Sequence, residues 1–107
     1  DRYMPLLKTK YNLDGNLIPF DFDEIIAAIA PRHFFSNSPV NDSNFDVTGV
    51  RKGISNAMEV YRFHGAENNL RVHYPDAGHD FPTDTRLAAY EFVDQALRHK
   101  PNKQTLE

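Results

Sequence analysis

The sequence predicts an α/β domain built on two parallel strands, and three observations carry that reading. Residues 33–37 and 70–74 are short segments of strand character. Residues 47–64, lying between them, repeat their apolar positions with a helical period. Two strands joined by so long a crossover are expected to lie parallel, with a right-handed connection. Over residues 21–99 the full order is helix, strand, helix, strand, helix.

Residues 1–20 mix Pro5, Gly15, Pro19 and several Asn and Asp residues with scattered apolar side chains, and neither period persists. An irregular arm is expected. Tyr3, Met4, Leu6, Leu7, Leu17, Ile18 and Phe20 are many apolar groups for a free tail, so the arm is expected to pack on something, with a turn at residues 13–16. Asp21 or Asp23 can cap the helix that follows, Glu24 suits its first turn, and residues 25–30 continue it until Pro31 stops it. Phe34 and Phe35, in an uncharged stretch between Pro31 and Pro39, suit a buried strand.

A polar loop, 38–46, precedes the long helix. Val50, Ile54, Ala57, Met58 and Tyr61 form one face of that helix, and Gly65 ends it. Leu70, Val72 and Tyr74 alternate with Arg71 and His73 in the second strand, which reads as nearer a sheet edge because one of its faces is polar. After a tight loop, 76–82, Thr83 or Asp84 can cap a last helix with Ala89, Phe92, Val93, Ala96 and Leu97 on one face. Residues 100–107 read as a frayed tail.

The chain's 107 residues allow one small domain at most, and a fold needing many strands cannot be complete within them. Twelve Lys and Arg stand against 15 Asp and Glu, with no block of five like charges, which argues against nucleic-acid and membrane-surface partners. With no cysteine, disulfides, thiolate nucleophiles and Cys-based zinc sites are excluded, while the compartment stays undetermined. The longest apolar run, 25–30, is far short of a membrane span, and the polar start shows no signal peptide. The first residue is Asp1 rather than Met, as in a processed or excised piece. No cofactor is expected, since the five glycines form no phosphate-cradling pattern.

In a parallel sheet the loops leaving the carboxyl ends of the strands lie side by side, and ligands bind there. Those loops are 38–46, with Asp42 and Asp46, and 76–82, with Asp76, His79 and Asp80. Gly78 and His79 put an imidazole on a tight turn, and Asp42 on the neighbouring loop is placed to hold its Nδ1–H. In acyl transfer such a pair fixes the tautomer and stabilises the imidazolium formed when the histidine takes a proton from a nucleophile. From pattern alone, a surface histidine and a turn-forming aspartate explain the same residues. His73, His79 and Asp76 match no metal-ligand spacing. His33, His64 and His99 are read as structural, Asp80 as capping the next turn, and Arg32 as pairing with a nearby acid.

Three stretches, 19–32, 38–45 and 74–82, resemble the C-terminal part of serine hydrolases of the α/β-hydrolase fold. They read PFDFDE through APR, SPVNDSNF and YPDAGHDFP. The similarity is to the branch of dienelactone-hydrolase-like and acetyl-xylan-esterase-like enzymes, and it runs from about Arg2 to Leu97. In that family the triad order is serine, acid, histidine, with the acid after the seventh strand and the histidine after the eighth. The resemblance therefore implies a partial α/β-hydrolase fold, with His79 as general base and Asp42 as its orienting acid. Relatives often place two acids side by side in this loop, and here the first is Asn41, which leaves Asp42 or, second, Asp46.

The nucleophile elbow Gly-x-Ser-x-Gly is missing from the sequence: Ser36, Ser38, Ser43 and Ser55 all lack the flanking glycines. The oxyanion segment of the N-terminal half is missing too. The implied protein is a serine hydrolase acting on a small-molecule ester or related acyl bond, of which this chain is a C-terminal fragment, inactive by itself. Such a fragment is expected to self-associate or to pack with the missing half. The rival readings are a non-catalytic α/β interaction or scaffold domain, and an independent small enzyme using the Asp-His pair with an activated water.

Overall fold

The computed structural model describes residues 3–102; Asp1, Arg2 and the end of the expected tail lie outside the described residues. Within them the chain forms α1 (Leu6–Thr9), a 3-10 turn (Gly15–Leu17), α2 (Phe22–Ile29), β1 (Phe34–Asn37), α3 (Val47–Phe63), a second 3-10 turn (Glu67–Asn69), β2 (Leu70–His73) and α4 (Thr83–Leu97). The strands pair in parallel, Phe34 opposite Leu70 through Asn37 opposite His73. This is the expected α/β order, with α3 as the crossover.

Helices cover both faces of the two-stranded sheet. On one face Phe34 and Leu70 meet α2 and α3, and the centre of the core is Ala57, Tyr61 and Leu70, ringed by Ile26, Ala27, Ile54 and Met58. On the other, Phe35 lies 5.5 Å from Phe92 of α4 and 5.1 Å from His73, while His33 meets the Phe92 ring edge-on at 5.5 Å. The alternation of side chains along β1 makes this division, because neighbouring residues of a strand point to opposite faces.

Asp21 caps α2 through a capping box: its carboxylate accepts from the first turn while Glu24 accepts the Asp21 N–H at 2.8 Å. That favourable pair starts the helix at Phe22, three residues before the apolar run. Asp46 caps α3, its side chain accepting the Thr48 N–H at 2.8 Å. Gly65, with φ +64°, closes α3 by turning left-handed, so that its N–H reaches the Arg62 carbonyl and that of Ala66 reaches the Tyr61 carbonyl. The Tyr61 hydroxyl donates to the Arg32 carbonyl at 2.9 Å and ties α3 to the turn before β1.

Several expectations need correction. Residues 1–20 are not wholly irregular, since they hold α1 and a 3-10 turn capped by Asp14. The arm's apolar groups pack only in part: Leu7 and Ile18 are half-buried, while Tyr3, Met4, Leu6, Leu17 and Phe20 are exposed. Strand β1 begins at Phe34 and is half-buried rather than buried, because only β2 flanks it. Neither Thr83 nor Asp84 caps α4; Pro82 stands at its N-cap with no side-chain bond. Its inward face is Thr85, Ala89, Phe92 and Ala96, while Val93 and Leu97 face solvent. Arg32 contributes its backbone carbonyl to Tyr61, and among the described residues its guanidinium pairs with no acid.

The chain is short of burial for its mass. Its radius of gyration is 16.4 Å, where a self-contained domain of this length has about 13 Å. Its accessible surface is 8531 Å², against about 6,100 Å² for a folded monomer of this mass.

Candidate active site

The site is built where β1 and β2 end. Parallel pairing does not stop with the strands: the Ser38 N–H bonds the His73 carbonyl at 2.8 Å, Val40 bonds Pro75 at 3.0 Å, and Asn41 bonds Ala77 at 3.0 Å. The two loops leave the sheet zipped together. Asp42 and His79, 37 residues apart in sequence, are thereby brought side by side, with His79 Nδ1 2.9 Å from Asp42 Oδ2.

Asp42 is held from its own loop as well, because Oδ1 accepts the Asn44 N–H at 2.8 Å in an Asx turn. The hydrogen bond to His79 lowers the Asp42 pKa below its ordinary 3.8, and the Asn44 N–H adds to the effect. The group is therefore an anion at neutral pH. An ionised carboxylate only accepts, so the Nδ1 facing it carries a proton and Nε2 is the ring nitrogen turned away from the acid. The Asp42 side chain is 6% exposed and that of His79 is 63% exposed. This is a shielded acid beneath an accessible base. Phe45 stacks on the imidazole, ring centroids 6.0 Å apart.

The other candidates are placed elsewhere. The Asp46 carboxylate is used by the N-terminus of α3 and is not on His79. Asp80 accepts the Phe81 N–H at 2.7 Å and so shapes the next turn. His73 and His33 make aromatic contacts. His99 is structural, with its Nδ1 2.8 Å from Asp94 Oδ1 at the end of α4. Among the described residues no group of three or more His, Asp or Glu side chains converges as a metal site, and no helix is long and apolar enough to cross a membrane.

The serines of the chain do not complete the pair. Ser36 and Ser38 bond each other, Oγ to Oγ, at 2.9 Å. They line a groove of about 540 Å³ between α2 and α3, whose wall at Ser38, Phe45 and Val50 is shared with a recess of about 60 Å³ beside Asp42. Among the described residues, Asp42 is the hydrogen-bond partner of His79, and no serine hydroxyl reaches the ring.

The sequence reading missed four contributors: Asn44, Phe45, and the asparagines Asn37 and Asn41, whose side chains reach Asp80 and Asp76 across the loops. The Asp-x-Asn spacing of 42 and 44 was a usable signal for the Asx turn. Contacts between the loops leave no comparable local pattern.

No family model matches this chain, and no relative is found among the curated proteins. A solved structure similar to it is that of methylesterase BT1017, at 25% sequence identity and a TM-score of 0.63 over 79% of this chain. The chain spans 18% of the length of that protein. The order of elements, the parallel sheet and this likeness together give the chain a partial α/β-hydrolase-like fold of esterase type.

Proposed function

We propose that this chain is the C-terminal part of a serine hydrolase cleaving an ester or related acyl bond, in which His79 is the general base and Asp42 orients it. The carrying observation is the 2.9 Å contact of His79 Nδ1 with a shielded carboxylate, at the carboxyl end of a parallel sheet, with the rest of the ring accessible. The nucleophile comes from a segment outside this chain. Its hydroxyl proton passes to Nε2 as the oxygen attacks the acyl carbon, Asp42 stabilises the imidazolium, and the same proton then leaves on the departing alcohol. Water then attacks the acyl-serine, giving up a proton to Nε2, and the acid is released as Nε2 returns that proton to the serine oxygen. The finer assignment to the dienelactone-hydrolase-like and acetyl-xylan-esterase-like branch is supported by the stretch around Asp42 and the Gly78-His79 turn. A small-molecule ester is the proposed substrate class.

The test compares the isolated chain with the longer polypeptide encoded in frame with it, using a fluorophosphonate probe and an aryl ester. The isolated chain is expected to stay unlabelled, the longer one to label on a Gly-x-Ser-x-Gly serine, and His79→Ala to cut hydrolysis by about 10²- to 10⁴-fold. Stoichiometric labelling of a serine within this chain overturns the proposal.

The second reading, a non-catalytic interaction domain, is favoured by the exposed arm and by Phe22, Phe63 and Leu97, which are 69%, 85% and 73% exposed. Apolar surface of this kind is satisfied by a second copy or by the missing half of the sheet. Under this reading the longer polypeptide hydrolyses no ester, and His79→Ala changes nothing that can be measured.

A further inference from the structure

Asp42 and His79 sit on different loops, and a 2.9 Å contact between them requires that the loops hold a fixed register. Backbone pairing sets it, and side chains on both flanks of His79 reinforce it. Asn41, immediately before Asp42, donates from Nδ2 to Asp76 Oδ1 at 2.6 Å, while its backbone N–H reaches the Ala77 carbonyl at 3.0 Å. On the other flank, Asn37 at the end of β1 donates from Nδ2 to the Asp80 carbonyl at 2.8 Å. The turn carrying the histidine is thus bracketed at residues 76 and 80 by two amides of the acid-bearing segment.

With the Asp76 carboxylate opposite, position 41 needs a donor, which the Asn41 amide supplies. A carboxylate there would present only acceptors to the Asp76 carboxylate, and two anions at that distance repel. We propose that Asn41 is a positioning residue, which locks the Asp42 loop to the His79 loop through Asp76 and so keeps Nδ1 on the carboxylate. The catalytic meaning of this lock rests on the function proposed above, whereas the lock itself is a property of the isolated chain. Both partners are exposed, so the bond adds little to stability, and its effect is on the orientation of the imidazole.

The test reads the tautomer of His79 in the ¹⁵N-labelled chain by two-bond ¹H–¹⁵N correlation at about pH 8.5, where an ordinary histidine is neutral. His79→Ala identifies the signal. The unsubstituted chain is expected to show the Nδ1–H form, and Asp42→Asn to lose that preference. Asn41→Asp is expected to move the ring toward the Asp42→Asn pattern, and Asp76→Ala, which removes the acceptor without adding charge, to move it part of the way. The double substitution Asn41→Asp with Asp76→Asn exchanges donor and acceptor and is expected to restore the Nδ1–H form. A folded Asn41→Asp chain with an unchanged tautomer overturns the positioning role alone, as does failure of the double substitution to restore it. Absence of the Nδ1–H form in the unsubstituted chain overturns both this inference and the Asp42–His79 assignment.

Discussion

Replacing Tyr61 by phenylalanine and by alanine separates what its hydroxyl and its ring contribute to a fold with little core to spare. The side chain is completely buried at the centre of the core, and its hydroxyl donates to the Arg32 carbonyl at 2.9 Å. Tyr61→Phe removes one hydrogen bond, and because Arg32 sits at an exposed turn where water can replace the donor, the cost is about 1 kcal/mol. For a domain of this size that is roughly 4–8 °C in Tm. Tyr61→Ala removes the ring as well and costs about 3–5 kcal/mol. Domains of this length hold roughly 5–15 kcal/mol in total, and the excess surface puts this chain at the low end, so alanine is expected to unfold it. Urea melts followed by circular dichroism give the phenylalanine cost, and circular dichroism without denaturant shows whether the alanine variant is unfolded. Burial also raises the Tyr61 pKa above its ordinary 10.0. The folded state thus favours the neutral phenol, a contribution fully present below about pH 10 and lost as the pH rises through the folded value. An alanine variant melting with the parent chain would refute the placement of Tyr61 at the centre of the core.

Three further outcomes are expected. The Asp42 pKa is lowered in the fold, so its contribution to stability is present above the ordinary 3.8 and is lost as the pH falls through the folded value; in acid melts, Asp42→Asn should flatten that part of the profile. Asp46→Ala should cost about 1 kcal/mol through the lost α3 cap while leaving the His79 tautomer unchanged in the NMR correlation, which separates the two candidate acids. Arg98 ends α4 with φ +53°, so Arg98→Gly should stabilise the chain by about 1 kcal/mol in thermal melts by relieving a left-handed backbone.

What could be read from the sequence was whatever depends on neighbours along the chain. A cap at Asp21 or Asp23, the Gly65 stop and the face Val50, Ile54, Ala57, Met58 and Tyr61 were all legible, because period and capping are local, and the structure chooses Asp21. The meeting of Asp42 and His79 was legible at one remove, since parallel strands force their exit loops together. The sequence suggests a buried β1, but burial depends on a strand along each edge, and among the described residues only β2 flanks it. The end of α4 was placed only by its fading apolar stripe, as Arg98 takes the position where a glycine would have marked the stop. Asn41 stood out in the sequence only as a departure from paired acids, and its bond to Asp76, 35 residues away, emerges only from the register of the two loops.

The account stands most directly on labelling and hydrolysis by the longer in-frame polypeptide, with and without His79→Ala. The predicted result is fluorophosphonate modification of a serine outside this chain, together with ester hydrolysis that falls by at least about 10²-fold when His79 is replaced. Hydrolysis undiminished in His79→Ala would contradict it.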